Sequence, residues 1–434
     1  MDANMLKIVL VNTVCGQGSV GRITADLYET ARRHDAQAAV AYGRGNAAEG
    51  IVSYKIGNRA DFYRHVCRNF FLGESGFGSA ASTRRFLRYL EEVKPDILHL
   101  HNLHGFYLQT ELLFAFIKEK HIPVVWTFHD CWPFTGHCAY YEKNGCLLWQ
   151  EGCMRCRYHR SAYPYALFRD NAKTAFQRKK EAFTGVENLV IVTPSRWLAE
   201  EVKKSFLKEY PVEVIPNGID LSVFAPKDRQ KEPVHTVLGV ANIWEERKGL
   251  SFFVRLAETL PEHYRIRLIG LSAGQQRALK KRFGPERLMA QQRTESLAEL
   301  AEAYRQADVF VNPTLEDNFP TANLEALACG TPVVTFETGG SPETIGVTKG
   351  QSDCGICVEK GNADALIQAV RFICEGSHRD GSIRTDSQEG GKNVRPGEHF
   401  TPLQCRARAE QFEKNTQYDR YFALYQRMKG NREA

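Results

Sequence analysis

The feature that most constrains this chain is a rhythm. Short runs that are apolar at every position alternate with stretches whose apolar residues recur at helical spacing. KIVLVN (7–12) leads into an amphipathic stretch at 20–34 and then AAVAY (38–42). ILHLH (97–101), a helical pattern at 107–119, PVVWTF (123–128), LVIVTP (189–194) and a helical pattern at 195–208 continue it. Strands apolar on both faces are buried on both faces, as parallel strands are. Their alternation with helices predicts a parallel sheet with right-handed crossovers. The rhythm pauses at PVEVIPNGIDLSVFAP (211–226), where Pro, Asn and Gly cluster as they do in connections. It restarts with HTVLGVAN (235–242), helical patterns at 249–260 and 296–306, and the runs IRLIG, DVFVNP and PVVTF. The expected fold class is therefore α/β, with two doubly wound Rossmann-like domains facing across a cleft and ligands at the C-terminal ends of the strands. The expected bounds are 1–217, 218–405, and a terminal helix at 406–434 that packs back toward the first domain. The wider stretch 401–430 reads as one helix carrying Phe412, Tyr418, Tyr421, Phe422 and Tyr425, and 376–399 reads as a flexible loop.

At about 150 residues per domain, 434 residues accommodate this division. The net charge of +6 is too small to point to nucleic acid and suits an anionic ligand or a peripheral contact with anionic lipid. No apolar run reaches the roughly 18 residues of a membrane span, and the start reads as a first strand rather than a signal peptide. The expectation is a cytoplasmic protein, with FYRHVCRNFFLG (62–73) as the contact if it sits at the membrane face. Its twelve cysteines are then reduced thiols or metal ligands rather than disulfides.

Gly16, Gly18 and Gly21 stand in G-x-G-x-x-G spacing between a strand and a helix, which is the context of a dinucleotide site. The acid that would bind the ribose about 20 residues on is missing, because AYGRGN has no Asp or Glu between Asp35 and Glu49. Arg44 there leaves an NADP-dependent oxidoreductase as one alternative. A tight turn that needs small residues is the plainer reading.

In the second domain, Arg247 and Lys248 follow the first strand, and adjacent cations at a strand end suit a diphosphate. In TLEDNFPTANLEALACGTPVV, Pro320 fits the first position of a helix, whose free N–H groups Asn318, Phe319 and Thr321 would line. Asp317 lies just before that helix and Glu325 about one turn inside it. Two carboxylates so placed can accept hydrogen bonds from sugar hydroxyls.

Together VIPNGID, ERKGL, DNFPTANLEALACGTPVV and GGSPETI resemble the retaining glycosyltransferases of family four, which have the two-domain B-type fold. The resemblance implies that Glu325 grips the donor ribose and that Asp317 takes the place of the acid contacting the transferred sugar. Lys248 resembles the diphosphate-binding lysine. The arginine usual six residues before it is replaced by Asn242, with Arg247 as the substitute. Gly16 and Gly18 match the glycine loop near the diphosphate, and His129, in VVWTFHD, matches a strand-end histidine near sugar and acceptor. The implied reaction moves a sugar from a UDP- or GDP-sugar to a glycan or lipid-linked glycan, without a catalytic metal, in surface polysaccharide or glycoconjugate assembly.

After His129 comes an insert, 131–160. Cys138, Cys146, Cys153 and Cys156 have spacings compatible with one structural zinc ion, with His137 and His159 as reserve ligands. A zinc-stabilised binding protein with an inactive cleft is the remaining alternative. Cys354 and Cys357 flank a strand and read as core.

Overall fold

The computed structural model describes residues 5–228, 232–347, 352–375 and 400–433. The stretch 376–399, read above as a loop, lies outside them. The chain divides into two compact units, Met1–Asn217 with Asn415–Ala434, and Gly218–Lys414.

In the first unit, β1 (Lys7–Asn12), β2 (Gln37–Tyr42), β3 (Ser53–Lys55), β4 (Ile97–Leu100), β5 (Val124–Thr127), β6 (Leu189–Thr193) and β7 (Val212–Val214) form one parallel sheet, ordered β3-β2-β1-β4-β5-β6-β7. Alternate residues of β1 serve opposite faces. Val9 and Val11 join a cluster with Phe114, Trp126 and Phe183, while Ile8 and Leu10 join Leu27, Tyr28 and the terminal helix. This two-sided burial is why the strand reads as an unbroken apolar run. Val212–Val214, inside the stretch read as a connection, is the edge strand of this sheet.

In the second unit, β8 (His235–Val240), β9 (Tyr264–Ile269), β10 (Leu288–Gln291), β11 (Val309–Asn312), β12 (Val333–Phe336) and β13 (Gly355–Val358) are parallel and ordered β10-β9-β8-β11-β12-β13. The strand order reverses between β8 and β11, and between β1 and β4 in the first unit. Open sheets bind ligands outside the C-terminal ends of strands at such reversals.

The single helix expected over 401–430 is two, Pro402–Glu410 and Lys414–Glu433. Between them the backbone pairs with Ile219. The Phe412 carbonyl accepts from Ile219 N–H at 2.8 Å, and Lys414 N–H donates to the Ile219 carbonyl at 3.0 Å. The second helix lies on the first unit, where Tyr425 Oη is 2.6 Å from His99 Nδ1 and Phe422 stacks on His34.

Candidate active site

The second unit gathers its polar groups at the β8/β11 reversal. Gly249, with φ of 76°, ends the loop after β8, and a Cβ there would lie 2.2 Å from the Pro313 carbonyl oxygen. Only glycine lets the loops after β8 and β11 approach this closely. The Arg247 carbonyl then accepts from Leu315 N–H at 2.7 Å and from the Thr314 hydroxyl at 3.3 Å. This joint brings Lys248 Nζ to 2.6 Å from Asp317 Oδ2, with both side chains about four-fifths buried (23% and 18% exposed). Arg247 contacts Glu245 Oε2 at 3.2 Å and the Glu316 carbonyl at 3.4 Å.

The helix Thr321–Ala328 begins after Pro320, which serves as N-cap rather than first helical residue. Asn323 fixes its first turn. It accepts from Asn312 Nδ2 at the end of β11 and donates to Thr344 Oγ1, each at 2.8 Å. Glu325 is buried, and Tyr304 Oη donates to its Oε2 at 2.9 Å. Asn318 and Pro320 are buried as well, and Phe319 packs on Phe412 at 5.5 Å. These three brace the helix start, while Asp317 and Thr321 keep partial exposure. Sequence reasoning missed Tyr304, whose helical spacing marks it only as core. It also missed Arg293, whose Nη2 is 3.2 Å from the carbonyl of Asn242, the position where the family motif lacks its arginine.

In the first unit, Gly16 and Gly18 have φ of 75° and 65°, and Gly16 N–H donates to the Gly21 carbonyl at 3.0 Å. A Cβ at Gly16 would lie 2.5 Å from Ala48 Cβ, so close packing explains that glycine without any ligand. His129 Nε2 is 3.0 Å from His101 Nδ1 with the rings stacked, and burial holds His129 down at about 4.

The structural zinc expected on the cysteine-rich insert gains no support. Among the described residues, no three His, Cys, Asp or Glu side chains form a group that could hold a metal ion. The four thiols lie near one another, with Cys153, Cys156 and Cys146 all acting on Cys138. Cys153 Sγ accepts from Gly136 N–H at 3.2 Å, and Cys138, Cys146 and Cys153 pack on the main apolar cluster. Burial pushes the Cys153 and Cys156 thiols up to about 11. His137 and His159 face the carbonyls of Ala162 and Cys156. The insert is fastened instead by Phe134 and Trp149, in ring contact at 4.9 Å, and by buried Lys179. The Lys179 ammonium donates to the carbonyls of Trp132 at 2.7 Å and Thr135 at 3.1 Å. Overnight EDTA tests the expectation: packing alone should leave the melting temperature within about 1 °C, where loss of a structural zinc would unfold the insert.

Residues 20–223 match the family model described as Glycosyltransferase Family 4, and residues 234–375 the one described as Glycosyl transferases group 1. A putative colanic acid biosynthesis glycosyl transferase of Escherichia coli K12 is 23% identical over 371 residues, covering 80% of this chain and 87% of that protein. Sucrose-phosphate synthase from Thermosynechococcus elongatus superposes with a TM-score of 0.65 at 14% identity, covering 98% of this chain and 99% of that one. Anabaena HepE, solved with UDP, superposes at 0.61 and 15%, covering 97% and 99%. These likenesses establish the two-domain B-type fold. The oxidoreductase and binding-protein alternatives gain no support from them.

Proposed function

Since this chain belongs to the glycosyltransferases of family 4, we propose that it transfers a sugar from a nucleoside diphosphate donor to an acceptor hydroxyl with retention of configuration. One observation carries this reading. The lysine and the first acid of the motif meet at the strand-order reversal of the second unit, Lys248 on Asp317 at 2.6 Å, and the second acid, Glu325, lies in the helix after that acid, held by Tyr304.

In this reading Lys248 faces the diphosphate and stabilises the charge that grows there as the glycosidic bond breaks. Asp317 fills a narrower role than the sugar contact that the family motif implies. It orients the ammonium, and a shared Lys248 keeps it within reach of the transferred sugar. Glu325 accepts from Tyr304 on one oxygen and is assigned the ribose hydroxyls that the family motif gives it. Arg247 and Thr321 add a guanidinium and a helix N-terminus to the same field. Gly16, Gly18 and His129, in the first unit, are assigned the roles that the family motif gives them, the glycine loop for the diphosphate and His129 for sugar and acceptor. The departing phosphate takes the acceptor proton, so no divalent metal is required.

The donor is a UDP- or GDP-sugar. The acceptor is a glycan or lipid-linked glycan of surface polysaccharide assembly, in keeping with the name of the Escherichia coli relative. No helix among the described residues is long and apolar enough to cross a membrane. A peripheral contact through the helix Arg59–Leu72 is supported by its exposed Tyr63, Phe71 and Leu72 beside Arg64 and Arg68.

A melting-temperature panel of nucleoside diphosphate sugars tests the reading. A ligand at 100 times its Kd adds about 2.7 kcal/mol, a shift of a few degrees. One nucleobase series should give that shift. No shift with any donor, together with no transfer, would overturn the proposal. Within it, Arg247→Ala should weaken diphosphate affinity about tenfold, the cost of one charge-assisted contact on a partly exposed surface. Unchanged affinity would remove Arg247 from the site.

A further inference from the structure

The helix Arg59–Leu72 is turned the wrong way round for a surface helix. Its two buried residues, His65 and Asn69, are polar, while Tyr63, Phe71 and Leu72 are exposed (63%, 52% and 39%). A surface helix ordinarily turns its apolar stripe to the core. The inversion is firmly fastened. Asn58 and Asp61 form a capping box at one end, and Gly73 closes the other in left-handed backbone. His65 Nδ1 is 2.9 Å from Ser79 Oγ, and Asn69 Nδ2 donates to the Tyr165 carbonyl at 2.8 Å. That last bond joins the helix to the segment after the cysteine-rich insert. Leu167 N–H extends the joint by donating to the Phe70 carbonyl at 3.0 Å. Phe168, 63% exposed, is thereby laid on Phe71, with the rings stacked at 4.9 Å. The result is an exposed apolar patch that is already ordered, so a partner meets little cost in arranging it. Charge surrounds the patch. Residues 59–72 and 154–170 together hold seven arginines, no lysine and two acids, a net charge of +5 against +6 for the whole chain. Cys156 N–H donates to Asp170 Oδ2 at 2.7 Å and Ala166 N–H to the His159 carbonyl at 2.8 Å. These bonds draw the stretch with exposed Arg155, Arg157 and Arg160 against the one bearing Phe168 and Arg169.

We propose that these two segments form one docking surface for an anionic phospholipid bilayer, with Phe71 and Phe168 entering the headgroup layer and the arginines on lipid phosphates. The inference rests on the transferase reading and deepens the peripheral contact named with it. The helix is only half of the surface, and the segment after the insert supplies the second ring and the larger share of the charge. Chemistry favours lipid over a soluble polyanion. A polyanion needs cations alone, whereas exposed rings among cations suit the boundary between acyl chains and headgroups. Guanidinium forks also match phosphate oxygens two at a time, which ammonium groups do not.

The test floats the full chain with phosphatidylcholine vesicles and with vesicles carrying about 30% phosphatidylglycerol, and titrates it in parallel with dextran sulfate, UDP and GDP. The wild type should bind the anionic vesicles alone, and less as salt rises from about 0.1 to about 0.5 M. Phe168→Ser should lower the vesicle partition about tenfold, the loss of one buried ring. Arg157→Gln with Arg160→Gln should lower it about thirtyfold, roughly fivefold for each arginine near an anionic surface. These side chains are exposed, so melting temperature and nucleotide affinity should not change. If Phe71→Ser weakens vesicle binding while the segment variants match the wild type, the joint surface is overturned and the helix contact stands alone. If Phe168→Ser matches the wild type on vesicles and dextran sulfate binds as tightly as they do, the surface is a polyanion site and the lipid assignment falls. A wild type that stays off anionic vesicles while binding nucleotide would overturn the inference and the helix contact, and leave sugar transfer intact. No nucleotide binding in the same samples would remove the transferase reading separately.

Discussion

Lys248→Met lowers kcat/KM for sugar transfer by about a hundredfold to a thousandfold, the ~2.7–4 kcal/mol typical of losing one preorganised group aimed at developing negative charge. The reason is geometric. Lys248 is held at 2.6 Å by Asp317 and lies just before Gly249, where no other residue fits the loop joint. It therefore costs no reorganisation when charge develops on the leaving phosphate. Met keeps the length and apolar stem of the side chain and removes only the charge. The substitution strands Asp317, but that carboxylate keeps partial exposure and can be hydrated. Removing one partner of a mostly buried pair that keeps some solvent access costs about 1–3 kcal/mol. The melting temperature should thus fall by only a few degrees while activity collapses. A fall in kcat/KM below tenfold in steady-state assays, with the fold intact, would remove Lys248 from the transition state.

The first unit should be acid-sensitive well above the range where carboxylates titrate. Burial depresses His65, His129 and His137 to about 4, and depresses His99 and His101 well below the ordinary value. Their surroundings explain the direction. His99 lies between Tyr425 and Thr127, at 2.6 and 2.8 Å, and its ring centroid is 4.1 Å from that of His101. His101 in turn stacks on His129, so a charge on any of the three faces two neighbouring rings in a dry interior. In the unfolded chain each histidine titrates near 6.5. Between pH 6.5 and 4 the unfolded chain thus binds protons that the folded chain refuses, and stability falls as pH falls. Each proton taken up on unfolding contributes about 1.4 kcal/mol per pH unit, so three of them make a slope of ~4 kcal/mol per unit near pH 5. Urea midpoints at pH 7.5, 6.5, 5.5 and 5.0 measure it. They should hold level down to about 7 and then drop steeply. A midpoint independent of pH down to 5 would show these histidines charged or hydrated in the folded state.

How much the sequence discloses depends on what holds each element. Strands buried on both faces, such as β1 and β5, announce themselves because every position is apolar. β10 (LMAQ) is partly exposed at Met289, Ala290 and Gln291, and its sequence carries no such run. Asp317, Lys248 and Glu325 are legible because they stand in the residue types and spacing of a family motif. Their partners are not. Tyr304 is 21 positions from Glu325, and a hydroxyl in a helix pattern looks the same whether or not a buried carboxylate awaits it. The break at Gln411–Glu413 was hidden because its cause, pairing with Ile219, lies nearly two hundred residues away.

The most direct measurement is a crystal structure of the full chain with the nucleoside diphosphate selected by the melting panel. The account predicts a phosphate oxygen at about 3 Å from Lys248 Nζ and a ribose hydroxyl donating to Glu325, with Tyr304 still on that carboxylate. A nucleotide seated away from the ends of β8 and β11, or one whose ribose leaves Glu325 untouched, would contradict it.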